Sequence, residues 1–267
     1  MANIIETYSK LASDYESQNN LESCWGKATK HAVSLLPSRE GNEVVVEVGC
    51  GPGIQLASMV QAGDKNLQFI GVEPAENLKN NASERVKQFS NAKVLNGKFE
   101  ELPLESNSVD YLYSLIAFHW VTDVEKAVAE LDRVLKKDGE MDIIFSGRNT
   151  GKEFIGKTTP IYFKHLSPRQ IMDAALSRQR LTIENCEDAF TPLFGSRNLT
   201  VSESYHTFYD TLEGHWSWWC RIEGQFSSVP RETKAECDRA IKEAIATLET
   251  ENGIPYTIHL LHVKVRR

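Results

Sequence analysis

The sequence predicts a doubly wound α/β fold in which a mostly parallel sheet carries helices on both faces. Three observations predict it. Residues 43–48 (EVVVEV) form a β-branched run that breaks at once into a glycine-rich turn, Gly49-Cys50-Gly51-Pro52-Gly53. Strand-like and helix-like stretches then alternate as far as Phe145. Between two of the strands, Val124, Ala127, Val128, Leu131, Val134 and Leu135 repeat at the i, i+3, i+4, i+7 spacing of one helical face.

After the first strand, Ile54, Leu56, Ala57, Met59 and Val60 continue as a helix, and residues 66–72 (NLQFIGV) give a second strand that ends before Glu73. Strand, glycine turn, helix and strand make one βαβ unit. Residues 77–89 read as a helix, 92–95 as a short strand and 109–116 (VDYLYSLI) as a longer one. The amphipathic helix follows, closed by Asp138-Gly139, and residues 141–145 (MDIIF) supply the next strand. Beyond Ser146 the texture changes. Ser167-Pro168-Arg169-Gln170 has the capping-box arrangement, so a helix is expected to run to about Arg178. Residues 180–184 read as a strand, 202–220 and 231–250 as helices, and 256–265 (YTIHLLHVKV) as a final strand. A last strand arriving after a helical excursion predicts a C-terminal helical cap inserted into the fold, over 194–252, rather than a second domain.

Composition narrows the function classes. With 267 residues, 41% apolar and 25% charged, the chain can bury a large core as one domain. A net charge of -7 makes a poor surface for neutralising phosphates, so no nucleic-acid partner is expected. No apolar run reaches the roughly 18 residues that span a bilayer, so no membrane partner is expected either. The first residues, MANIIETYSKLASDYE, carry acidic groups where a secretory signal carries positive charge, and the five cysteines are scattered without a CxxC pair. A cytoplasmic protein with reduced thiols is the expectation.

Gly49, Gly51 and Gly53 form the pattern GxGxG at the first strand-to-helix turn, where a doubly wound sheet brings bare backbone against a ligand. The dinucleotide fingerprint GxGxxG requires a glycine where Ile54 stands, and no GK[ST] follows. Glu73, at the end of the second strand, lies where an acidic side chain accepts hydrogen bonds from both hydroxyls of a ribose. The ligand predicted is an adenosine without a pyrophosphate anchor.

Glu47-Val-Gly-Cys-Gly-Pro-Gly53, Gly71-Val-Glu-Pro74, Glu101-Leu-Pro103 with Ser108-Val-Asp110, and Phe118-His-Trp-Val121 ahead of Arg133-Val-Leu-Lys-Lys-Asp-Gly139 occur in order over about residues 8–145. Together they resemble the motifs of class I S-adenosylmethionine-dependent methyltransferases. Within that superfamily, His119-Trp120 and the aromatic segment 209–219 resemble the small-molecule branch that includes trans-aconitate methyltransferases. The resemblance implies a Rossmann-like sheet of seven strands, N-terminal lid helices over 1–36, a cofactor-binding core over 40–146, and a final strand over 255–267. It implies S-adenosylmethionine as cofactor, with Gly49, Gly51 and Gly53 under its methionine part, Glu47 near its ammonium, Glu73 and Pro74 at its ribose, and Leu115 close by. Lys98 and Phe99 would flank the adenine, although an aspartate is common in the family where Lys98 stands. Tyr8 and Tyr15 resemble the aromatics of a lid helix.

Methyl transfer from a sulfonium is an in-line displacement that needs alignment and exclusion of water. The acceptor expected is a small molecule, methylated at oxygen of a carboxylate or hydroxyl; nitrogen or carbon acceptors, or a catalytically silent partner protein, are the alternatives. His119, just after the fourth strand, is placed to act as a base or to orient the acceptor, or to cap backbone groups. Trp120 is expected as a wall of the acceptor pocket or as core packing rather than as a reactant. Trp216 and Trp219, from the cluster His215-Trp216-Ser217-Trp218-Trp219, either line that pocket or pack the cap onto the sheet. No metal is expected, since HExxH is absent and His259 and His262 point to opposite faces of a strand.

Overall fold

The computed structural model describes residues 4–175, 178–222, 224 and 229–267. Its centre is a seven-stranded sheet in the order β3-β2-β1-β4-β5-β7-β6. The strands are β1 (Val44–Val48), β2 (Gln68–Val72), β3 (Ala92–Leu95), β4 (Val109–Leu115), β5 (Leu135–Ser146), β6 (Leu199–Asp210) and β7 (Ile254–Arg266). The pairs among β1 to β5 are parallel, while β7 runs antiparallel to both β5 and β6. The mostly parallel, doubly wound Rossmann-like sheet is therefore the architecture found.

The buried β-branched runs explain why these strands occupy the middle of the sheet. Val45, Val46 and Val48 of β1 are buried on alternating faces. Val46 and Val48 join one apolar cluster with α7 (Val124–Val134) and α10 (Ile183–Phe194). Val45 joins the other, with α4 (Cys24–Ser34), α5 (Ile54–Ala62), α8 (Lys152–His165) and α12 (Arg231–Ala246). By the same period of two, Glu47 faces the second cluster, among apolar side chains.

The N-terminal segment consists of three short helices, α1 (Ile4–Lys10), α2 (Ala12–Tyr15) and α3 (Gln18–Leu21), followed by α4. It docks on α6 (Glu76–Val86) through Asn77, whose side chain donates to the Ser9 carbonyl at 2.8 Å, and through an ion pair of Glu16 with Arg85. Ala12 packs with Ala75 and Leu78 beneath Tyr8 and Tyr15.

Three expectations need correction. Residues 202–210 are strand rather than helix: they belong to β6, whose residues alternate between half-buried and exposed and which pairs with β7 along its whole length. The only helix in 202–220 is α11 (Leu212–Arg221), begun by Thr211 as N-cap. The stretch 194–252 thus supplies an edge strand as well as helices, and is not a purely helical cap. Residues 180–184 are not a strand, because Thr182 and Asn185 form a reciprocal capping box that starts α10. Asp138-Gly139 does not end a helix either. The helix α7 stops at Val134, β5 begins at Leu135, and the two residues sit where the β4–β5 register slips between Val109↔Leu135 and Tyr111↔Glu140. The helix predicted from Pro168 is α9 (Pro168–Ala175); residues 176–177 of that expectation lie outside the described residues.

One polar network crosses the centre of the sheet. Asp142 is fully buried and accepts from Tyr111 Oη at 3.0 Å, His262 Nε2 at 2.7 Å and Arg266 Nη2 at 2.6 Å. Burial pushes its carboxyl up, but the His262 and Arg266 bonds outweigh that and hold it below the usual carboxylate range. A depressed folded value means that its contribution is present above the unfolded pKa and is lost as pH falls through the folded one. Asp142→Ala should cost about 3 kcal/mol in urea unfolding at neutral pH, the scale of removing one partner from a buried ion pair. The variant should also lose less stability than the wild type on acidification.

Candidate active site

The carboxyl ends of β1, β2 and β4 open into a cleft of about 390 Å³. The turn after β1 is drawn across the end of β2, with the Gly49 and Cys50 amides donating to the Val72 carbonyl at 2.8 and 3.2 Å. Gly51 has φ +55, and a Cβ there would meet no atom within 4 Å. Bare main chain at Gly51 therefore borders open space, where a ligand can lie against it. Gly53 has a different task. At φ +75 it N-caps α5, and a Cβ would stand 2.8 Å from the Ala82 Cβ, so it allows α5 and α6 to approach and does not line the cleft.

Two buried carboxyls face this turn. Glu73 accepts the Gly51 amide on Oε2 and the Ala75 amide on Oε1, both at 2.9 Å. Burial raises its pKa to about 7, against the pull of those two amides. Glu47, 3% exposed, accepts from Tyr113 Oη at 3.1 Å, and burial pushes its carboxyl up to about 8, opposed by the Tyr113 bond and aided by Glu73. A pocket that holds two raised acids favours a cationic ligand.

Tyr15, Glu47, Gly49, Gly51, Glu73, Pro74, Lys98, Phe99, Leu115 and Trp120 all line the cleft. Tyr15 lines it from the N-terminal segment, packed edge-on against Tyr8 at 5.5 Å, and burial beside Glu73 raises its phenol to about 12, so the hydroxyl keeps its proton. Phe99 packs edge-on against Phe118 at 5.2 Å. Downstream, Glu100 accepts the Thr122 amide and hydroxyl at 2.7 and 2.8 Å and so fixes the segment after the single 3₁₀ turn Phe118–Trp120.

His119 lies on that turn, outside the main cleft, in an adjoining chamber of about 30 Å³. It is 4% exposed, and burial together with Arg178 lowers its pKa to about 3. The imidazole is therefore neutral at physiological pH and a weak base, able to hydrogen-bond but not to hold a proton taken from an acceptor. Trp216 and Trp219 line neither space. Trp216 lies 5.8 Å beneath Lys242 Nζ, and Trp219 packs edge-on against Trp218, so the geometry of this pair is that of packing. Trp218 is the member of the cluster that reaches the chamber.

Sequence reasoning missed Asn20, Trp25, Thr29 and Lys30 from α3 and α4, which line the cleft, and Arg178. Ser23-Cys24-Trp25, with Ser23 as N-cap, was the available signal for α4. Ile116, which the resemblance places with Leu115 near the end of the fourth strand, lines both spaces with φ +53, an outlier for a β-branched residue, and its amide donates to the Ile144 carbonyl at 2.7 Å.

A family model described as a methyltransferase domain matches residues 46–143, the stretch that carries both acids and the glycine turn. The chain carries a methyltransferase domain in this stretch, and the enzyme is an S-adenosylmethionine-dependent methyltransferase. It is 29% identical over 176 residues to a ubiquinone/menaquinone biosynthesis C-methyltransferase of Campylobacter jejuni, covering 62% of this chain and 72% of that one. In fold it resembles the YcgJ protein of Bacillus subtilis, with a TM-score of 0.58 at 19% identity over 91% of this chain and 99% of the other. It also resembles phosphoethanolamine N-methyltransferase 2 of Haemonchus contortus in complex with S-adenosyl-L-methionine, with a TM-score of 0.58 at 14% identity over 98% of this chain and 56% of that one. Among the described residues of this methyltransferase, no group of three or more His, Cys, Asp and Glu could hold a metal ion, and no helix is long and apolar enough to cross a membrane.

The raised acids give a pH signature. A bound cation favours the ionised carboxyls, so S-adenosylmethionine should bind more tightly as pH rises through the values of about 7 and 8 set by Glu73 and Glu47, and binding near neutrality should release protons. Calorimetry in buffers of different ionisation enthalpy reads this release. A binding heat that does not vary with the buffer would contradict it.

Proposed function

We propose that the cleft along the Gly49–Gly51 turn binds S-adenosylmethionine, and that the methyltransferase acts on a small-molecule acceptor at oxygen of a carboxylate or hydroxyl. The observation that carries the cofactor placement is the pair of raised, buried acids, Glu47 and Glu73, on either side of bare main chain at Gly51. When bound, the cofactor supplies a methyl group already activated by a sulfonium charge.

The residues present fit that group. Glu73 has its orientation set by the Gly51 and Ala75 amides, and a carboxylate offers about four acceptor sites, which leaves capacity for a ribose diol. Pro74 would border the same sugar. Glu47 would meet the ammonium, with its carboxylate steadied by Tyr113. Lys98, Phe99 and Leu115 would border the base and sugar, with Phe99 offering an apolar ring rather than an acidic contact. Gly53 serves the site indirectly, through the α5–α6 approach. Tyr8 and Tyr15 would exclude water from above.

For the acceptor, the apolar wall around Trp120 supports a small organic molecule. The resemblance to the branch that includes trans-aconitate methyltransferases supports an oxygen acceptor. Carbon is the second reading, favoured by the similarity to the Campylobacter jejuni C-methyltransferase. His119 would orient the acceptor. The acidic total charge and the five free cysteines support a cytoplasmic setting.

Glu73→Ala should weaken S-adenosylmethionine binding by about 1.5–3 kcal/mol, the scale of hydrogen bonds to a charged group, with the fold intact. Calorimetry measures the loss, and unchanged affinity would place the ribose elsewhere.

A further inference from the structure

Asn77, Asn81 and Arg85 stand at i, i+4 and i+8 on one stripe of α6, and all three reach the N-terminal segment. Asn77 donates its side-chain amide to the Ser9 carbonyl at 2.8 Å and its backbone amide to Ser9 Oγ at 3.1 Å. Asn81 donates to Glu16 Oε2 at 3.0 Å, and Arg85 Nη2 donates to Glu16 Oε1. Arg85 also reaches the other way. Its Nε donates to the Pro52 carbonyl at 3.0 Å, within the glycine turn that borders the cleft. We propose that Arg85 is a positioning residue for cofactor binding: one guanidinium fastens the N-terminal segment to the turn against which the cofactor lies, and so slows the cofactor's escape. The inference rests on the cofactor reading above and adds to it a residue that does not itself line the cleft.

The segment depends on its docking. Its helices α1, α2 and α3 have seven, four and four residues, and isolated helices below about 12 residues are marginal in water. No residue of α1 is buried, and the apolar hold is one small cluster of Ala12 with Ala75 and Leu78. The polar stripe on α6 therefore supplies the remaining grip. What the segment covers is the site itself. Ile5, Tyr8 and Tyr15 line the cleft, and Tyr8 packs edge-on against Trp120 at 5.6 Å, so a displaced segment uncovers both the Glu73 corner and the Trp120 wall. The turn is held at adjacent residues, with the Gly51 amide on Glu73 and the Pro52 carbonyl on Arg85. Because Arg85 joins that turn to Glu16, whose two oxygens are taken by donors one helical turn apart, a ligand that steadies the turn also steadies the segment, and the reverse holds by linkage. The fork matters. A guanidinium serves a carbonyl and a carboxylate at once in fixed geometry, whereas an ammonium on a flexible stem is a point charge. A half-exposed ion pair of this kind contributes little to global stability, so its effect falls on ligand release rather than on folding.

The test follows S-adenosylhomocysteine binding and release by stopped-flow tryptophan fluorescence, since Trp25 and Trp120 line the cleft. Glu16→Gln and Arg85→Gln should each raise the dissociation rate about fivefold, with the association rate within about twofold of the wild type. The double variant should stay within about twofold of Arg85→Gln alone, because both residues act through one contact. Arg85→Lys, which keeps the charge and loses the fork, should recover part of the loss. Amide exchange over residues 4–16 should slow when S-adenosylhomocysteine binds the wild type, and that slowing should shrink in Glu16→Gln. Glu16→Gln leaves the bond from Arg85 to Pro52 untouched and carries the test by itself if Arg85→Gln does not fold. An unchanged dissociation rate in Glu16→Gln, or additive effects in the double variant, would overturn the role of Arg85 and leave the cofactor reading standing. Failure of S-adenosylhomocysteine to bind the wild type would instead overturn the cofactor reading and this inference with it.

Discussion

The Glu73 carboxylate is the tie on which the site depends. One oxygen holds the Gly51 amide and the other the Ala75 amide, so a single buried side chain joins the turn after β1 to the start of α6. The Gly49 and Cys50 amides bind the Val72 carbonyl and close the same corner from the strand side. Backbone pinned in this way remains bare at Gly51 and does not relax toward the sheet. The arrangement carries a cost, because the carboxylate that organises the turn is itself buried and pushed up to about 7. A second buried acid, Glu47, adds to that cost with Tyr113 as its hydrogen-bond donor. Such a cluster is a poor choice for stability alone, and cationic ligands are what relieve it.

Strain is concentrated around the same opening. Ile116 holds a left-handed backbone at the end of β4, a conformation unfavourable for a β-branched side chain. The Ile144 carbonyl of β5 and the packing of Phe118 and Phe145 on the far side hold it there. Its conformation turns the chain out of the sheet into the 3₁₀ turn that presents His119 and Trp120. The strongly packed centre, with Asp142 at its core, therefore supports local geometry at the rim that would not persist in isolation.

Strands β1, β2 and β4 were legible in the sequence because buried parallel strands are largely apolar, and β1 and β2 end sharply at Gly49 and Glu73. The same clarity located Glu47, Glu73 and the turn, whose spacing is set by one βαβ unit. Strand β6 was read as helix for a physical reason. It is an edge strand with one wet face, and its residues Ser202, Ser204, His206 and Thr207 carry no strong apolar alternation. The start of α10 was present in the sequence as Thr182 and Asn185, and was obscured by the β-branched pair Thr182-Ile183. The acceptor side was the least legible. Arg178 reaches it from a connecting segment, and Trp218 rather than Trp216 or Trp219 faces it, a choice made by tertiary packing that no periodicity encodes.

The central claim is that Glu73 and the bare main chain at Gly51 together form the seat of an adenosyl cofactor. A crystal structure of the protein grown with S-adenosylhomocysteine tests it most directly. The ribose hydroxyls should lie within hydrogen-bonding distance of the Glu73 carboxylate, with the amino-acid end of the ligand against Gly51 and Glu47. A nucleoside bound anywhere else, or a Glu73 side chain that makes no contact with the sugar, would contradict the account.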